Sequence, residues 1–479
     1  MPERTAPTLS PHVLRVLPWL VAVAMFMEGL DISILNTAVP VIASDLATTA
    51  LSLKSVLTTY TLALAIFIPV SGWVADRFGT RRVFRMAVAL FTIGSLLCGL
   101  SVNLPMLVAS RFVQGVGGAM MVPVGRIALI RAYPRSQMLT MMNYVVIPAL
   151  VAPLVGPFIG GFIVHWLPWR TIFFVNLPIG LVGWWMIRRY MPDYRRADVP
   201  PLDGLGMLLF GSGIALLSYV LEVFGEHTWP LVEIVLMFLA SLALLTAYAL
   251  YARRIQDPLL YMPLFLVRTF RISVLGGFVT RLGIGGVPFL LPLLYQIGLG
   301  YGPLMAGLLT MPLAVAAIGM KIMSRPLLKR FGHRRVLVWN TVLLGLNMML
   351  YTFIGIGTPV ALIVLLSLTQ GLFSSLQFTC MNSLTFADVK DQHASQASSI
   401  AGTAQQMALS FGVAFASLVA ALFLRNVEQT EHVRYIAGLH HTFLLLGGFT
   451  VISAIIFGRL HIRDGINVSQ FVLRKETMV

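Results

Sequence analysis

Four ionisable side chains stand inside long apolar runs of the chain: Glu28, Asp31, Arg111 and Arg281. A charge in such a run is costly in hydrocarbon, so it marks a functional position by default. Glu28 and Asp31 are three residues apart and therefore share one face of a helix. Two carboxylates close together in a low dielectric hold a proton more readily than either would alone, which suits proton loading and release near neutral pH. Arg111 stays protonated when buried and needs a partner. Arg281, in the run Phe278-Val279-Thr280-Arg281-Leu282-Gly283, could bind an anionic group or pair with Glu28 or Asp31. Asn36, Gln114, Gln296, Gln370, Gln377 and Gln405 are further polar positions that could line a cavity. Each also suits an ordinary interhelical hydrogen bond. Other chemistry is missing from the pattern. No Gly-Lys-Ser/Thr phosphate loop is present, so ATP is not the expected energy source. His440-His441 has no supporting ligand cluster, so no metal site is expected, and no nucleophile–base set suggests an enzyme.

The elements that carry these residues are membrane spans. The 479 residues are 58% hydrophobic and only 11% charged, against about 25% charged in a soluble domain. With a span taken as roughly 20 mostly apolar residues, fourteen are expected. They lie near 17–40, 55–75, 84–102, 105–125, 141–164, 171–187, 204–222, 231–252, 272–297, 303–322, 335–355, 359–386, 399–424 and 441–460. The net charge of +16 could suggest nucleic acid, but the 34 Lys and Arg sit in short groups between apolar runs. With the N-terminus in the cytoplasm, 28 of the 34 fall on the cytoplasmic side and four on the other. That asymmetry places both termini in the cytoplasm. Cys98 and Cys380 lie within apolar stretches and suggest no disulfide framework; no cleavable leader is evident.

The chain also repeats itself. Gly72-Trp73-Val74-Ala75-Asp76-Arg77-Phe78-Gly79-Thr80-Arg81-Arg82 is echoed 253 residues later by Arg325-Pro326-Leu327-Leu328-Lys329-Arg330-Phe331-Gly332-His333-Arg334-Arg335. Gln114-Gly115 is echoed by Gln370-Gly371. Two six-span halves separated by an extra pair explain both offsets, giving units at 1–190, 191–262 and 263–479. Such duplicated halves place a substrate site at their interface near the bilayer midplane.

The segment 72–82 resembles the loop signature of the major facilitator superfamily. Leu30-Asp31-Ile32-Ser33-Ile34-Leu35-Asn36-Thr37-Ala38-Val39-Pro40 resembles the first-span signature of its drug:proton antiporters. Arg111-Phe112-Val113-Gln114-Gly115-Val116-Gly117-Gly118-Ala119 resembles the buried-arginine motif, and Gly156-Pro157-Phe158-Ile159-Gly160-Gly161 is similar to the antiporter motif. Trp169-Arg170-Thr171-Ile172-Phe173-Phe174-Val175-Asn176-Leu177-Pro178-Ile179-Gly180 resembles a segment typical of the fourteen-span group. Together these motifs are similar to the drug:proton antiporter-2 family, including multidrug resistance exporters, across essentially the whole chain.

The resemblance implies an all-α membrane protein of the major facilitator fold: two pseudo-symmetric six-helix bundles plus two extra helices. It implies a proton-coupled antiporter exporting amphipathic drugs or biocides across a bacterial inner membrane. The expected partners are a small-molecule substrate and the lipid bilayer, with the proton as coupling ion, no cofactor and a monomeric state. Export of an anionic metabolite such as a carboxylate is the alternative. Spans one and four line the cavity in this fold, so Asp31 becomes the candidate partner of Arg111, and a pair that opens on protonation would couple the proton to rearrangement. Gly72, Asp76, Arg77, Gly79, Arg81 and Arg82 are expected to form a conformational latch. Gly156, Pro157, Gly160 and Gly161 are expected to form a hinge or seal, or an ordinary close-packing face.

Overall fold

The computed structural model describes residues 10–133, 135–196, 198–224, 230–255, 257–390, 393–425 and 427–469. The basic residues Arg4, Arg474 and Lys475, used in assigning orientation, lie outside them. The first half comprises α1 (Pro11–Asp45), α2 (Lys54–Phe78), α3 (Thr80–Gly99), α4 (Leu104–Ala132) and α5 (Arg135–Trp166), then the short α6 (Thr171–Phe174) and α7 (Asn176–Tyr190). The extra pair is α8 (Gly204–Phe224) and α9 (Leu231–Ala252). In the second half, α10 (Arg268–Ile284) continues through α11 (Val287–Leu293) and a π turn at Leu294–Gly298. There follow α12 (Pro303–Leu350), α13 (Val360–Thr385), α14 (Ala394–Leu424), α15 (His432–Gly458) and the short α16 (Ile466–Ser469).

Twelve stretches of the described chain are long and apolar enough to cross a membrane. One of them contains α12, whose 48 residues would run about 72 Å at 1.5 Å per residue, twice the apolar core of a bilayer. It is two spans joined at Gly332, where φ is +73°. Gly79, its counterpart in the first copy of the loop motif, has φ +93° and separates α2 from α3. A left-handed residue turns the chain here, and glycine adopts that backbone without strain. The 32-residue α5, long enough to cross although not among the twelve, completes the expected series of spans. Some helices overrun the apolar runs read from the sequence, α1 at both ends, while α9 and α13 match theirs to within a residue. In α1 the start is fixed by Ser10, whose Oγ accepts from the Val13 N–H at 3.4 Å, with Pro11 in the first turn.

The two halves meet differently at their two ends. At the end away from the termini, one apolar cluster draws on both: Ile34, Ala38 and Ile42 of α1 with Leu290 and Leu293 of α11, Ala306 of α12 and Leu439 of α15. At the end that bears the termini the buried side chains separate. Leu17, Val21, Phe84 and Leu129 belong to one cluster, and Ile272, Leu337, Leu384 and Phe457 to another. The molecule is therefore closed at the distal end and parted at the terminal end. Along the sides, α2 packs on α14 and α5 on α12. The extra helix α8 lies over the first of these seams, touching both α2 and α14, while α9 packs behind it.

Candidate functional site

Asp31 sits midway along α1, 4% exposed, with donors from two other helices converging on its carboxylate. Arg111 of α4 donates through Nη1 to Oδ2 at 2.5 Å. Gln114, one turn on, donates through Nε2 to Oδ1 at 2.8 Å, and Asn176 of α7 donates to the same oxygen at 3.0 Å. The guanidinium is itself fully buried. Its Nη1 also donates to Gln114 Oε1 at 2.7 Å and its Nε to the Val56 carbonyl of α2 at 3.3 Å. The Tyr60 ring lies 4.3 Å from the Arg111 Cζ and the Phe173 ring 5.9 Å, so the cation rests on aromatic faces. A further strut runs from Asn176 to Ser95 of α3. One carboxylate thus ties together α1, α2, α3, α4 and α7. Removing its charge would leave Arg111 buried without a counterion, an arrangement that costs several kcal/mol.

Glu28, one turn toward the terminal end, is arranged differently. Its Oε2 is buried with no hydrogen-bond partner, and the charged groups close enough to act on it are Arg126 and Asp31. Arg281 of α10 is 5% exposed. Its Nη2 reaches Gln405 Oε1 of α14 at 3.5 Å, its Cζ lies 4.8 Å from the Phe378 ring, and its Nε has no partner. Among the described residues it makes no ion pair. Arg281 stands one turn before Gly285-Gly286, where the first span of the second half breaks and crosses Gly412 of α14.

The other polar candidates divide. Gln114 and Gln405 belong to the charged groups just described. Asn36 is half-buried on α1, five residues beyond Asp31. Gln296 Nε2 donates at 2.8 Å to the Thr37 carbonyl and links the two halves at the closed end. Gln370 and Gln377 both bond within the second half. Gln370 accepts from Asn347 at 2.8 Å, while Gln377 accepts from Asn340 and donates to Thr341, each at 2.8 Å. Asn176 and Tyr60 do not stand out in the sequence. Asn176 is legible there only as part of the Trp169–Gly180 segment, and Tyr60 carries no signal distinguishing it from other aromatics in apolar runs.

The glycine face of α5 makes two close approaches. A Cβ on Gly156 would lie 1.9 Å from Ser33 Oγ, and one on Gly160 would lie 2.7 Å from the Ile34 carbonyl, both on α1. A Cβ on Gly161 would meet the Pro303 carbonyl at 2.5 Å, while the Pro157 carbonyl faces Gly307 of α12. The motif therefore packs within its own half and across to the other. In the loop 72–82, Asp76 accepts from Arg131 at 2.6 Å, and its carbonyl accepts from the Arg196 N–H at 3.1 Å. Arg81 N donates to Asp193 at 3.1 Å, and Arg81 Nε donates to the Met191 carbonyl. These partners all lie in the first half or the segment that follows α7. Arg77 and Arg82 are exposed. A methyl group on Gly72 would meet nothing within 4 Å, so no close helix approach accounts for this glycine here.

Similarity to known proteins agrees with this architecture. The chain matches the family model described as Major Facilitator Superfamily over residues 21–413 and 273–470. It is 37% identical over 454 residues to the Salmonella paratyphi B protein named "Putative multidrug resistance protein MdtD", covering 92% of this chain and 94% of that one. The protein of the same name from Salmonella heidelberg matches with the same identity and coverage. Among solved structures, a bacterial homologue of the human lysosomal transporter Spinster, inward-facing and unoccupied, superposes with a TM-score of 0.68 at 13% identity, over 98% of this chain and all of that one. A POT family transporter bound to a thioalcohol-conjugated peptide gives 0.67 at 18% identity, over 93% of this chain and 95% of that one. The duplicated six-span halves, the extra pair at their side and the match along almost the whole length make this chain a multi-pass member of the Major Facilitator Superfamily.

Proposed function

We propose that the protein is a proton-coupled antiporter that exports amphipathic drugs or biocides, alternating access between its halves. It works as a monomer in a bacterial cytoplasmic membrane with both termini in the cytoplasm. The Lys and Arg asymmetry supports that orientation, in which the parted terminal end faces the cytoplasm. The observation that carries the reading is the enclosed Asp31–Arg111 pair. A proton reaching Asp31 from outside cancels the charge that holds Arg111, Gln114 and Asn176 together. The first half then repacks, and the seal between α1, α11 and α12 opens or closes with it. Release of the proton to the cytoplasm restores the pair. The family relatives named for multidrug resistance support the substrate class, and carriers of this fold need no cofactor.

The test is proton release from the purified, detergent-solubilised protein on addition of a panel of lipophilic cations and small carboxylates. Release with the cations, lost in Asp31→Asn, is the expected result. Release with carboxylates alone would overturn the drug-export reading in favour of anionic-metabolite export.

A further inference from the structure

The 253-residue offset that superposes the two loop copies also carries Glu28 onto Arg281. The first span of each half thus presents an ionisable side chain at the same position, acidic in one half and basic in the other. Neither is spent on structure as Asp31 and Arg111 are: Glu28 keeps a buried, unpartnered Oε2 and Arg281 a buried, unpartnered Nε. Arg281 is also given room. A Cβ on Gly277 would lie 2.6 Å from its Nη1, so glycine is what lets the guanidinium fold back along α10 against Phe378. A buried cation with one long bond to a neutral amide and no acidic neighbour is unfavourable unless an anion joins it at some point in the cycle.

We propose that Glu28 and Arg281 are the two poles of one ligand site, and that the preferred substrates are amphipathic zwitterions whose amine binds Glu28 and whose carboxylate binds Arg281. This rests on the export reading above and narrows its substrate class. The apolar body of the ligand lies between the poles, along the half-buried Phe378 of α13 beside Arg281. Because each pole belongs to a different half, a ligand with both charges engages both halves at once. A ligand with one charge engages only one. The ammonium held by Glu28 lies one turn from Asp31, where its positive charge favours release of the proton carried there, so cargo and proton exclude each other across the Glu28–Asp31 face.

The experiment uses the full chain in lipid nanodiscs and a set of rigid aminomethyl-aryl carboxylic acids with one, two or three rings. Each is compared with its methyl ester, which keeps only the cation, and its N-acetyl derivative, which keeps only the anion. Calorimetric titration is expected to show one ring number for which the zwitterion binds about tenfold tighter than either derivative, the scale of one buried charged hydrogen bond. Arg281→Gln is expected to bring the zwitterion to the ester's affinity and leave the ester within about twofold, with Arg281→Lys intermediate. Glu28→Gln is expected to bring it to the affinity of the N-acetyl derivative. An ester that binds as tightly as its zwitterion at every length would overturn the proposal. So would an Arg281→Gln variant that weakens all three compounds alike, which would make Arg281 a structural group or an ion-pair partner of Glu28 in the opposite conformation. Proton release by tetraphenylphosphonium, which has no carboxylate, is recorded on the same samples. If it persists while the zwitterion preference fails, the export reading stands and this one falls.

Discussion

Asp31 and Arg111 form a closed unit in which each member exists for the other, and their energetics should show it. Arg111→Gln leaves a buried carboxylate without its cation and should cost about 3–5 kcal/mol in denaturant unfolding of the solubilised protein. Asp31→Asn should cost a similar amount and abolish proton exchange. In the double variant both charges are gone, so its loss should be well below the sum of the two, a coupling that only contacting residues show. Additive losses would mean that the pair does not interact in the folded protein. The pairing is legible in the sequence through the resemblance, which sets spans one and four around the cavity; the charged residues alone leave Arg281 as a second candidate partner for Asp31. Asn176 and Tyr60 are not legible in the same way, since an amide or an aromatic ring in a span looks alike whether it faces a carboxylate, a neighbouring helix or lipid. Gln370 and Gln377 illustrate the converse. Gln370 echoes Gln114 of the first half, but the rotation of α13 that turns both glutamines toward Asn347 and Asn340 is set by packing.

At the scale of elements, the apolar runs locate the spans and the repeat locates the halves. The helix ends are harder, because a helix goes on past the bilayer wherever its backbone is satisfied. Where a residue must adopt an unusual backbone, however, the sequence speaks directly: Gly79 and Gly332 occupy equivalent turns. The two glycines of the first loop copy should therefore behave differently. Gly79→Ala forces a left-handed alanine whose Cβ would lie 2.3 Å from Asp193 Oδ1, and it should cost about 1–3 kcal/mol. Gly72→Ala meets open space and should leave the thermal midpoint within about 2 °C in this conformation, for a change of a few tenths of a kcal/mol. If Gly72→Ala nevertheless impairs transport, the glycine is required by a helix that closes on it in the other conformation. Equal thermal losses for both would contradict the turn geometry.

For the whole molecule, the closed end is held by contacts that cross between the halves, and locking them should stop the cycle. Cysteines replacing Thr37 and Gln296 should be bridged by a short bifunctional thiol reagent, because the Gln296 side chain reaches the Thr37 backbone at 2.8 Å. Thr37 is as buried as the native Cys98 and Cys380, so the bridge is formed in a Cys98→Ala/Cys380→Ala background with the reagent present while the halves exchange. Bridging should arrest export, and a cleavable reagent should restore it on reduction. Export that continues with the bridge intact would show that this contact does not need to open.

The extra pair breaks a symmetry that a plain two-bundle carrier keeps. Both seams between the halves, α2 with α14 and α5 with α12, must slide for the halves to rock, but only one wears a cover. There, α8 leans Phe210 and Ile214 into the cluster that holds Leu62, Ile400 and Phe411, and the Lys54 ammonium grips the Glu222 carbonyl at 2.9 Å. Among the described residues, no helix covers the opposite seam in this way. The molecule therefore has a sheltered flank and an open flank, and a greasy compound dissolved in the bilayer meets the line between the moving halves from one direction only.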